Sequence, residues 1–366
     1  MLLLGNASSG LDWVLGMNQS EVQDLGSSPE AVMVPLVFGL IFVVGLVGNS
    51  LVILVICGVR CSGAGGGGGR RTESTTNIFI LNLSVADLLF LLFCVPLQAT
   101  VYSLPQWVFG SFLCSFGHFF FTVSMLVSIF TLVAMSVDRY IAVVRSNQSP
   151  CVRSRRNALV GACVIWTLSV ACAVPVAQHQ TLTTHTSAPN STFCWEQWSG
   201  ASRRAYRVSI LLIGYLLPLL LISCCYTRVR APAPTSVLIH LYNKMKNMSQ
   251  RSERVKRKTT QIVLLVISAF TICWMPHHII AMWVEFGTFP LNDATFAFRI
   301  VSHCLSYGNS CINPVLYAFL SENFRKSCRK VFTSHFLCPP APQGKVVRVP
   351  MENFSSTTHV GMSVIR

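Results

Sequence analysis

Long stretches without a charged side chain are the feature that most constrains this chain. Residues 31–59 and 157–195 contain no Asp, Glu, Lys or Arg, and residues 74–137 contain only Asp87. A helix of about 20 apolar residues spans the hydrocarbon core of a bilayer. The whole chain is 52% hydrophobic and 11% charged, whereas soluble domains carry about 25% charged residues. We therefore interpret the chain as a multi-span membrane protein, which argues against an ordinary soluble enzyme.

Seven segments are long enough to cross a membrane. Each is predicted to be helical, because backbone amides inside lipid must be hydrogen-bonded within their own segment. The predicted spans are residues 32–57, 77–102, 112–137, 157–177, 207–228, 259–284 and 296–320. The predicted fold class is an all-α seven-helix bundle. We divide the chain into an extracellular segment (1–31), a receptor-like bundle (32–332) and a cytoplasmic tail (333–366).

The distribution of basic residues orients the bundle. Most of the 28 Lys and Arg residues lie in alternate connectors and in the C-terminal tail. Basic loops stay on the cytoplasmic side, so the N-terminus is predicted to be outside and the C-terminus inside. This placement explains the net charge of +15 without nucleic-acid binding. Contact of the inner loops with acidic membrane lipid is an additional expectation.

The predicted topology also sorts the modification motifs. The outer sequons begin at Asn6, Asn18 and Asn190, so these are the expected N-glycosylation sites. Cys114 and Cys194 both lie on the outer side, where a disulfide is expected in an oxidising compartment. On the inner side, Cys328 and Cys338 are both candidates for palmitoylation. Trp107, in a short outer turn, is expected to lie in an interfacial aromatic belt.

No enzyme motif or cofactor-binding motif is present in the sequence, and we predict neither activity nor cofactor. The informative residues are polar residues and prolines within the spans. A charged residue such as Asp87 costs about 2.5–3.5 kcal/mol inside a membrane, so it indicates cation binding, a proton relay or a packed polar network. Each span proline permits a kink. These are Pro96, Pro175, Pro218, Pro276 and Pro314.

Short motifs occur in order along the seven spans. They are Gly48-Asn49, Leu83-Ser84-Val85-Ala86-Asp87, Asp138-Arg139-Tyr140, Trp166, Pro218, Cys273-Trp274-Met275-Pro276 and Asn313-Pro314-Val315-Leu316-Tyr317. Together with the outer cysteine pair, this set resembles the rhodopsin-like (class A) G-protein-coupled receptors. Longer segments resemble the galanin receptor family, and most closely its type 1 members. These segments are residues 74–83, 120–130, 192–198, 276–280 and 320–326.

The resemblance implies a function. Such a receptor would bind the neuropeptide galanin at the plasma membrane and signal through inhibitory G proteins to lower cyclic AMP. Hydroxyl residues 355–358 of the tail would then be phosphorylated to recruit arrestin. Two alternatives stay open: a receptor for another related neuropeptide and, from a different class, a transporter. The sequence shows no internal repeat of the kind that transporters contain.

One face of the sixth span leads from mid-membrane to the outer mouth, because Trp274, His278, Ala281 and Glu285 recur at helical spacing. By resemblance, the ligand-binding residues are Phe121, His278, Phe296 and Arg299, with Glu285, Phe286, His118 and His277 as further candidates. His278 could instead be a core histidine, and the phenylalanines could be packing residues. Arg299 would anchor a ligand or pair with Glu285 or Asp293. Ala281 departs from the type 1 pattern, which has a histidine there.

The resemblance also implies a sodium site and an activation switch. The sodium site would consist of Asp87, Ser128, Asn309 and Asn313, as a possible allosteric element rather than a cofactor. The switch residues would be Trp274, Pro276, Phe270, Ile129, Pro218, Asp138, Arg139, Tyr140, Tyr226, Asn313, Pro314 and Tyr317. In this scheme span six swings outward at Pro276 and Arg139 is released from Asp138. Many relatives hold Arg139 with a further acid where this chain has Lys256, so ligand-free signalling is expected to be raised.

Three inner segments complete the expectations. Residues 321–332 are predicted to form a short amphipathic helix at the membrane surface, with Phe324 facing lipid. Residues 61–69 and 230–236 depart from the family pattern in two inner loops, and their effect on coupling is left open.

Overall fold

A computed structural model describes residues 29–64, 75–104, 106–145, 152–185, 188–198, 200–230, 246–290, 292–320 and 322–332. Four helices come first: α1 (Pro29–Ala64), α2 (Thr75–Ser103), α3 (Gly110–Val143) and α4 (Arg155–Gln178). A two-stranded hairpin follows, formed by β1 (Gln180–His185) and β2 (Ala188–Glu196). Helix α5 covers residues 200–230 and is followed by α6 (Lys246–Phe286), α7 (Asp293–Leu320) and α8 (Glu322–Phe332).

The predicted seven-helix bundle is confirmed. Six of the described helices, α1 to α6, are long and apolar enough to cross a membrane. Helix α7 falls short of that apolarity because one of its faces is polar and buried. This face consists of Ser302, His303, Ser306, Asn309, Ser310 and Asn313. The seventh helix is therefore recognisable by its length and position in the bundle more than by hydropathy.

The helices extend beyond the predicted spans. Helix α6 begins at Lys246, well before the predicted start of its span at residue 259. The difference has a simple cause: the length of an apolar run reports where a helix enters lipid, whereas a helix can continue into water through polar residues. Helix α1 likewise begins at Pro29, a few residues before the predicted boundary at residue 32.

Helix α3 lies at the centre of the bundle and contacts α2, α4, α5 and α6. Its buried side chains join one continuous core with those of the surrounding helices. Helix α1 packs on the outside against α2 and α7. The predicted amphipathic helix is present as α8, and its partly buried Phe324 packs against the core. Arg325 donates to the carbonyl of Ala318 at 3.2 Å and to that of Phe319, which closes the end of α7.

Gly48 of α1 lies close against Pro314 of α7. A Cβ atom at this position would lie 2.7 Å from Cγ of Pro314. Glycine therefore allows the two helices to touch where the proline leaves a gap in the α7 hydrogen-bond ladder. We expect Gly48→Leu to lower the thermal stability of the receptor in detergent, since overpacking costs about 1–3 kcal/mol. Gly39→Leu is the matched control on α1, because a Cβ atom at Gly39 meets nothing within 4 Å; equal losses in both variants would contradict this reading.

Trp107 does not lie in a lipid-facing belt as expected. It is 8% exposed and packs with Leu97 and Cys114. Its indole nitrogen donates to the carbonyl of Gly110 at 2.8 Å. A tryptophan with a satisfied N–H can be buried under a loop, and Cys194 packs against the cluster that contains Trp107.

Several expectations fall outside the described residues. These are the glycosylation sites Asn6 and Asn18, the palmitoylation candidate Cys338, the side chain of Lys256, tail residues 355–358, and most of segments 61–69 and 230–236. The side chain of Asn190 lies outside the description too, although its backbone belongs to β2.

Candidate functional site

The hairpin β1–β2 is tied to the outer end of the bundle at three places. The predicted disulfide between Cys114 and Cys194 is present and joins β2 to the first turns of α3. The backbone N–H of Trp107 donates to Thr192 at 2.8 Å, and the Thr192 hydroxyl donates back to the Trp107 carbonyl at 2.8 Å. At the end of β2, Glu196 forms an ion pair with Arg207 of α5. The hairpin therefore has a defined position over the outer half of the bundle.

Aromatic side chains form the centre of the outer half. Phe121 is 5% exposed and its ring centroid lies 5.4 Å from that of Trp274, 5.4 Å from that of His277 and 5.6 Å from that of Tyr307. These rings come from α3, α6 and α7. The structure thus brings together the predicted ligand residues Phe121 and His277 and the predicted switch residue Trp274.

The predicted inner face of α6 is confirmed. Trp274, His278, Ala281 and Glu285 are between 3% and 8% exposed. The indole nitrogen of Trp274 and Nε2 of His278 are buried and make no hydrogen bond among the described residues. An unsatisfied buried polar atom costs about 1–3 kcal/mol. A ligand that supplied hydrogen-bond partners would recover that free energy.

A π-helical turn in α5 positions a residue that the sequence did not reveal. Helix α5 consists of an α segment (Gly200–Leu211), a π turn (Leu212–Leu216) and a second α segment (Leu217–Arg230). The extra residue in such a turn rotates the side chains that follow it. Tyr215 lies in the turn, with its ring 4.7 Å from that of His278 and its hydroxyl donating to the Thr271 carbonyl at 2.9 Å. A kink was expected at Pro218; the π turn immediately before it had no sequence signal.

The charged residues of the outer rim pair differently from expectation. Glu285 forms an ion pair with Arg203 of α5 at 2.8 Å, and not with Arg299. The guanidinium of Arg299 lies 5.2 Å from the ring centroid of Phe296, a cation–π contact. Asp293 is exposed at the start of α7. The choice of partner depends on how far α5 approaches α6, which no local pattern encodes.

Two further ligand candidates, His118 and Phe286, differ in how far they are exposed. His118 is 3% exposed and faces the interior of the bundle, whereas Phe286 is 64% exposed at the outer end of α6. Phe286 is therefore not brought into the ring cluster, which consists of Phe121, Trp274, His277 and Tyr307.

A polar network between α2 and α7 was missed. Nδ1 of His303 lies 2.7 Å from the Tyr102 hydroxyl and 3.3 Å from the Gln98 amide nitrogen. The Tyr307 hydroxyl donates to the Gln98 side-chain oxygen at 3.2 Å. Tyr307 also contacts Phe121, so this network borders the ring cluster. The helical spacing of polar residues 302, 303, 306, 307 and 310 was the available signal.

The predicted sodium-site residues are all buried. Asp87, Ser128, Asn309 and Asn313 are between 2% and 5% exposed. The amide of Asn313 donates to a carboxylate oxygen of Asp87 at 2.8 Å. Within the described part of the chain, Asp87 has no basic partner. A buried carboxylate beside oxygen-bearing side chains, here Asn313 and Ser310, suits a small hard cation, so this environment fits the ion that the resemblance implies.

The predicted switch residues Ile129, Phe270 and Pro218 lie on the inner side of the ring cluster. Ile129 and Phe270 are 0% and 1% exposed, and the Phe270 ring lies 5.9 Å from that of Trp274. Pro218, Pro276 and Pro314 are buried in α5, α6 and α7. A movement of Trp274 would therefore be transmitted to closely packed apolar side chains.

At the inner end of α3, Arg139 is held by Asp138. Nη2 of Arg139 lies 2.5 Å from Asp138 Oδ2 and also donates to the hydroxyl of Thr76 on α2. Tyr140 is only half-buried. The hydroxyls of Tyr226 and Tyr317 are buried and make no hydrogen bond among the described residues. Among the described residues, Arg139 is therefore bonded to Asp138 of its own helix and to Thr76 of α2, and no hydrogen bond joins it to Tyr226 or Tyr317.

Comparisons with known proteins agree with this architecture. Residues 48–317 match the model of the family described as 7 transmembrane receptor (rhodopsin family). The chain is 53% identical over 336 residues to the human galanin receptor type 1, covering 91% of each chain. It is 55% identical over 310 residues to the mouse galanin receptor type 1, covering 84% of each. Identity to the rat galanin receptor type 2 is 43% over 326 residues, covering 88% of this chain and 82% of that one.

These matches extend over the bundle that carries the ring cluster, the disulfide and the Arg139–Asp138 pair. Such proteins are multi-pass receptors of the plasma membrane and not enzymes, and this chain is placed with them by both fold and sequence. The chain belongs to the rhodopsin family of seven-transmembrane receptors and, within it, to the galanin receptors.

Proposed function

We propose that this receptor binds the neuropeptide galanin and couples to inhibitory G proteins, which lowers cyclic AMP. The observation that carries the ligand proposal is the ring cluster around Phe121, with the buried His278 Nε2 and Trp274 Nε1 beside it. Aromatic pairs add about 0.5–1.5 kcal/mol each beyond burial. Aromatic side chains of a peptide would stack on this cluster. The backbone of the peptide would supply hydrogen-bond partners for His278 Nε2 and Trp274 Nε1. Phe296 and Arg299 extend the site to the rim.

The inner end supports the coupling proposal. A ligand shifts a receptor toward the arrangement that it binds more tightly. In the active arrangement α6 swings outward at Pro276, Arg139 leaves Asp138, and the hydroxyls of Tyr226 and Tyr317 support it. The cleft so formed accepts a helix of the G protein, as in other helix-in-groove complexes.

The direct test is a galanin dose–response on forskolin-raised cyclic AMP in cells that express the chain. We expect a fall in cyclic AMP that pertussis toxin abolishes. Surface abundance is measured in the same cells. A robust galanin response that resists the toxin would contradict inhibitory coupling, and no binding of labelled galanin to surface receptor would contradict the ligand.

A second candidate ligand, another related neuropeptide, is favoured by one observation. Ala281 is 8% exposed on the inner face of α6, where the type 1 pattern has a histidine. A ring and a hydrogen-bonding group are missing there. A panel of neuropeptides applied to the unchanged chain and to Ala281→His separates the cases. Galanin binding that appears only in Ala281→His would favour the second ligand.

We also propose that sodium binds at Asp87 and stabilises the inactive arrangement. In the unchanged receptor, sodium is then expected to lower agonist affinity by about fivefold or more, the lower range of allosteric coupling. Asp87→Asn is expected to abolish that effect, because the neutral amide no longer attracts the cation. Asp293→Asn, an exposed acid of α7, is the control. Undiminished sodium sensitivity in Asp87→Asn would refute the site.

The remaining modification and partner proposals follow from topology. We propose N-glycosylation at Asn6, Asn18 and Asn190, palmitoylation at Cys328 or Cys338, and arrestin recruitment through the tail. Cys328 supports the lipid proposal by its half-buried position on α8, next to the membrane surface.

A further inference from the structure

The Asp138 carboxylate receives hydrogen bonds from four side chains. Thr75 donates to Oδ1 at 2.5 Å and Thr76 donates to Oδ2 at 3.0 Å. Arg139 donates to Oδ2 at 2.5 Å. Arg153 donates with Nε to Oδ1 at 2.8 Å and with Nη2 to Oδ2 at 3.2 Å. A carboxylate offers about four lone-pair positions, so all the hydrogen-bond acceptor positions of Asp138 are occupied.

The two arginines bind this carboxylate in different ways. Arg153 contacts both oxygens with its fork, the bidentate geometry that makes the strongest arginine–carboxylate pairs. Arg139 contacts one oxygen and shares the same nitrogen with Thr76. Arg153 lies in the connector immediately before α4, outside α6, the helix that is proposed to swing outward. Asp138 therefore has a counter-ion that does not depend on Arg139.

We propose that Arg153 is a positioning residue for G-protein activation: it keeps Asp138 paired when Arg139 leaves. The proposal rests on the proposed coupling function, in which Arg139 is released. Asp138 is 5% exposed, and a buried carboxylate that loses its partner is strongly destabilised. With Arg153 present, release of Arg139 leaves an Asp138–Arg153 pair. Without Arg153, release would leave the carboxylate with hydroxyl donors alone.

The sign of the effect follows from this comparison of states. Removal of Arg153 leaves Asp138 paired with Arg139 in the closed arrangement, but removes its counter-ion in the open arrangement. The open arrangement is therefore destabilised more than the closed one. Loss of Arg153 makes the receptor harder to activate, whereas loss of a simple lock would make it easier.

The experiment measures nucleotide exchange on purified G protein by the full-length receptor in lipid nanodiscs, with and without galanin. We expect Arg153→Gln to lower both the ligand-free and the agonist-driven exchange rates about tenfold, the factor that 1.4 kcal/mol produces. Antagonist affinity should stay unchanged, and thermal stability should fall only by the loss of the two Arg153 hydrogen bonds, because Asp138 keeps its bond from Arg139 in the closed arrangement. Arg156→Gln removes the same charge from an exposed residue of the same helix start and is expected to behave like the unchanged receptor. A higher ligand-free rate in Arg153→Gln would overturn the proposal.

A double-mutant cycle separates this role from direct contact of Arg153 with the G protein. If Arg153 acts through Asp138, Arg153→Gln has no further effect in the Asp138→Asn receptor. An equal loss on both backgrounds would show a direct contact and overturn the proposal. Arg153→Lys keeps the positive charge and loses the bidentate geometry, so its exchange rates are expected to lie between those of the unchanged receptor and Arg153→Gln. This variant replaces Arg153→Gln in the test if the glutamine variant does not fold. The ligand-free arm needs no galanin, so failure of the proposed ligand remains distinguishable from failure of this proposal.

Discussion

Replacing Phe121 with alanine is expected to weaken galanin binding roughly 10- to 100-fold, because about two ring contacts of 0.5–1.5 kcal/mol each with the peptide would be lost. The side chain lies at the junction of α3, α6 and α7, with its ring within 6 Å of those of Phe90, Trp274, His277 and Tyr307. A cluster of this kind can recognise a peptide's aromatic residue and pass the contact directly to Trp274. The measurement is displacement of labelled galanin from surface receptor, normalised to receptor abundance.

The same ring is also a packing residue, so the control must match that role. Phe120, the preceding residue, contacts Phe93 and Phe116 at 5.4 and 5.5 Å and lies in a separate stack between α2 and α3. Phe120→Ala removes an equal ring from the same helix turn. If both variants lose stability and affinity together, Phe121 is a packing residue; a selective loss of affinity in Phe121→Ala identifies a ligand contact.

The second large effect is expected at the disulfide. The double substitution Cys114→Ala with Cys194→Ala should reduce galanin binding at the surface below detection, because the bond joins α3 to a hairpin 80 residues further along the chain. Removal of a native disulfide costs about 2–5 kcal/mol in small domains. In this receptor the spans are already held together by packing within the bundle. We therefore expect removal of the disulfide mainly to displace the hairpin.

Two comparisons make this prediction specific. Cys163→Ala changes a free, exposed cysteine of α4 and is expected to have no effect. The Glu196–Arg207 ion pair and the Trp107–Thr192 hydrogen bonds do not involve the cysteines and are expected to persist in the disulfide variant. We therefore expect a folded receptor at the surface whose thermal stability is only moderately lowered although its galanin binding is lost. Normal galanin affinity in the double variant would show that these other ties suffice.

Local patterns were enough for much of this receptor. The number of spans was predicted from apolar length, and the inner face of α6 from the helical spacing of Trp274, His278, Ala281 and Glu285. The disulfide followed from topology, because both cysteines fall on the same side of the membrane. Each of these properties depends on residues within one segment or on which side of the membrane a segment ends.

Partner choice was decided by the tertiary structure alone. Glu285 pairs with Arg203 and not with Arg299, and Asp138 binds Arg153 as well as Arg139. His303 forms a polar network with Gln98, and no sequence motif predicted it. Such contacts connect residues as far apart as His303 and Gln98, 205 positions apart in the chain. They depend on how the helices rotate and approach one another, as the π turn of α5 shows for Tyr215. Hydrophobic length and helical period determine which helices form and which faces turn inward; the packing of those faces determines which polar atoms meet.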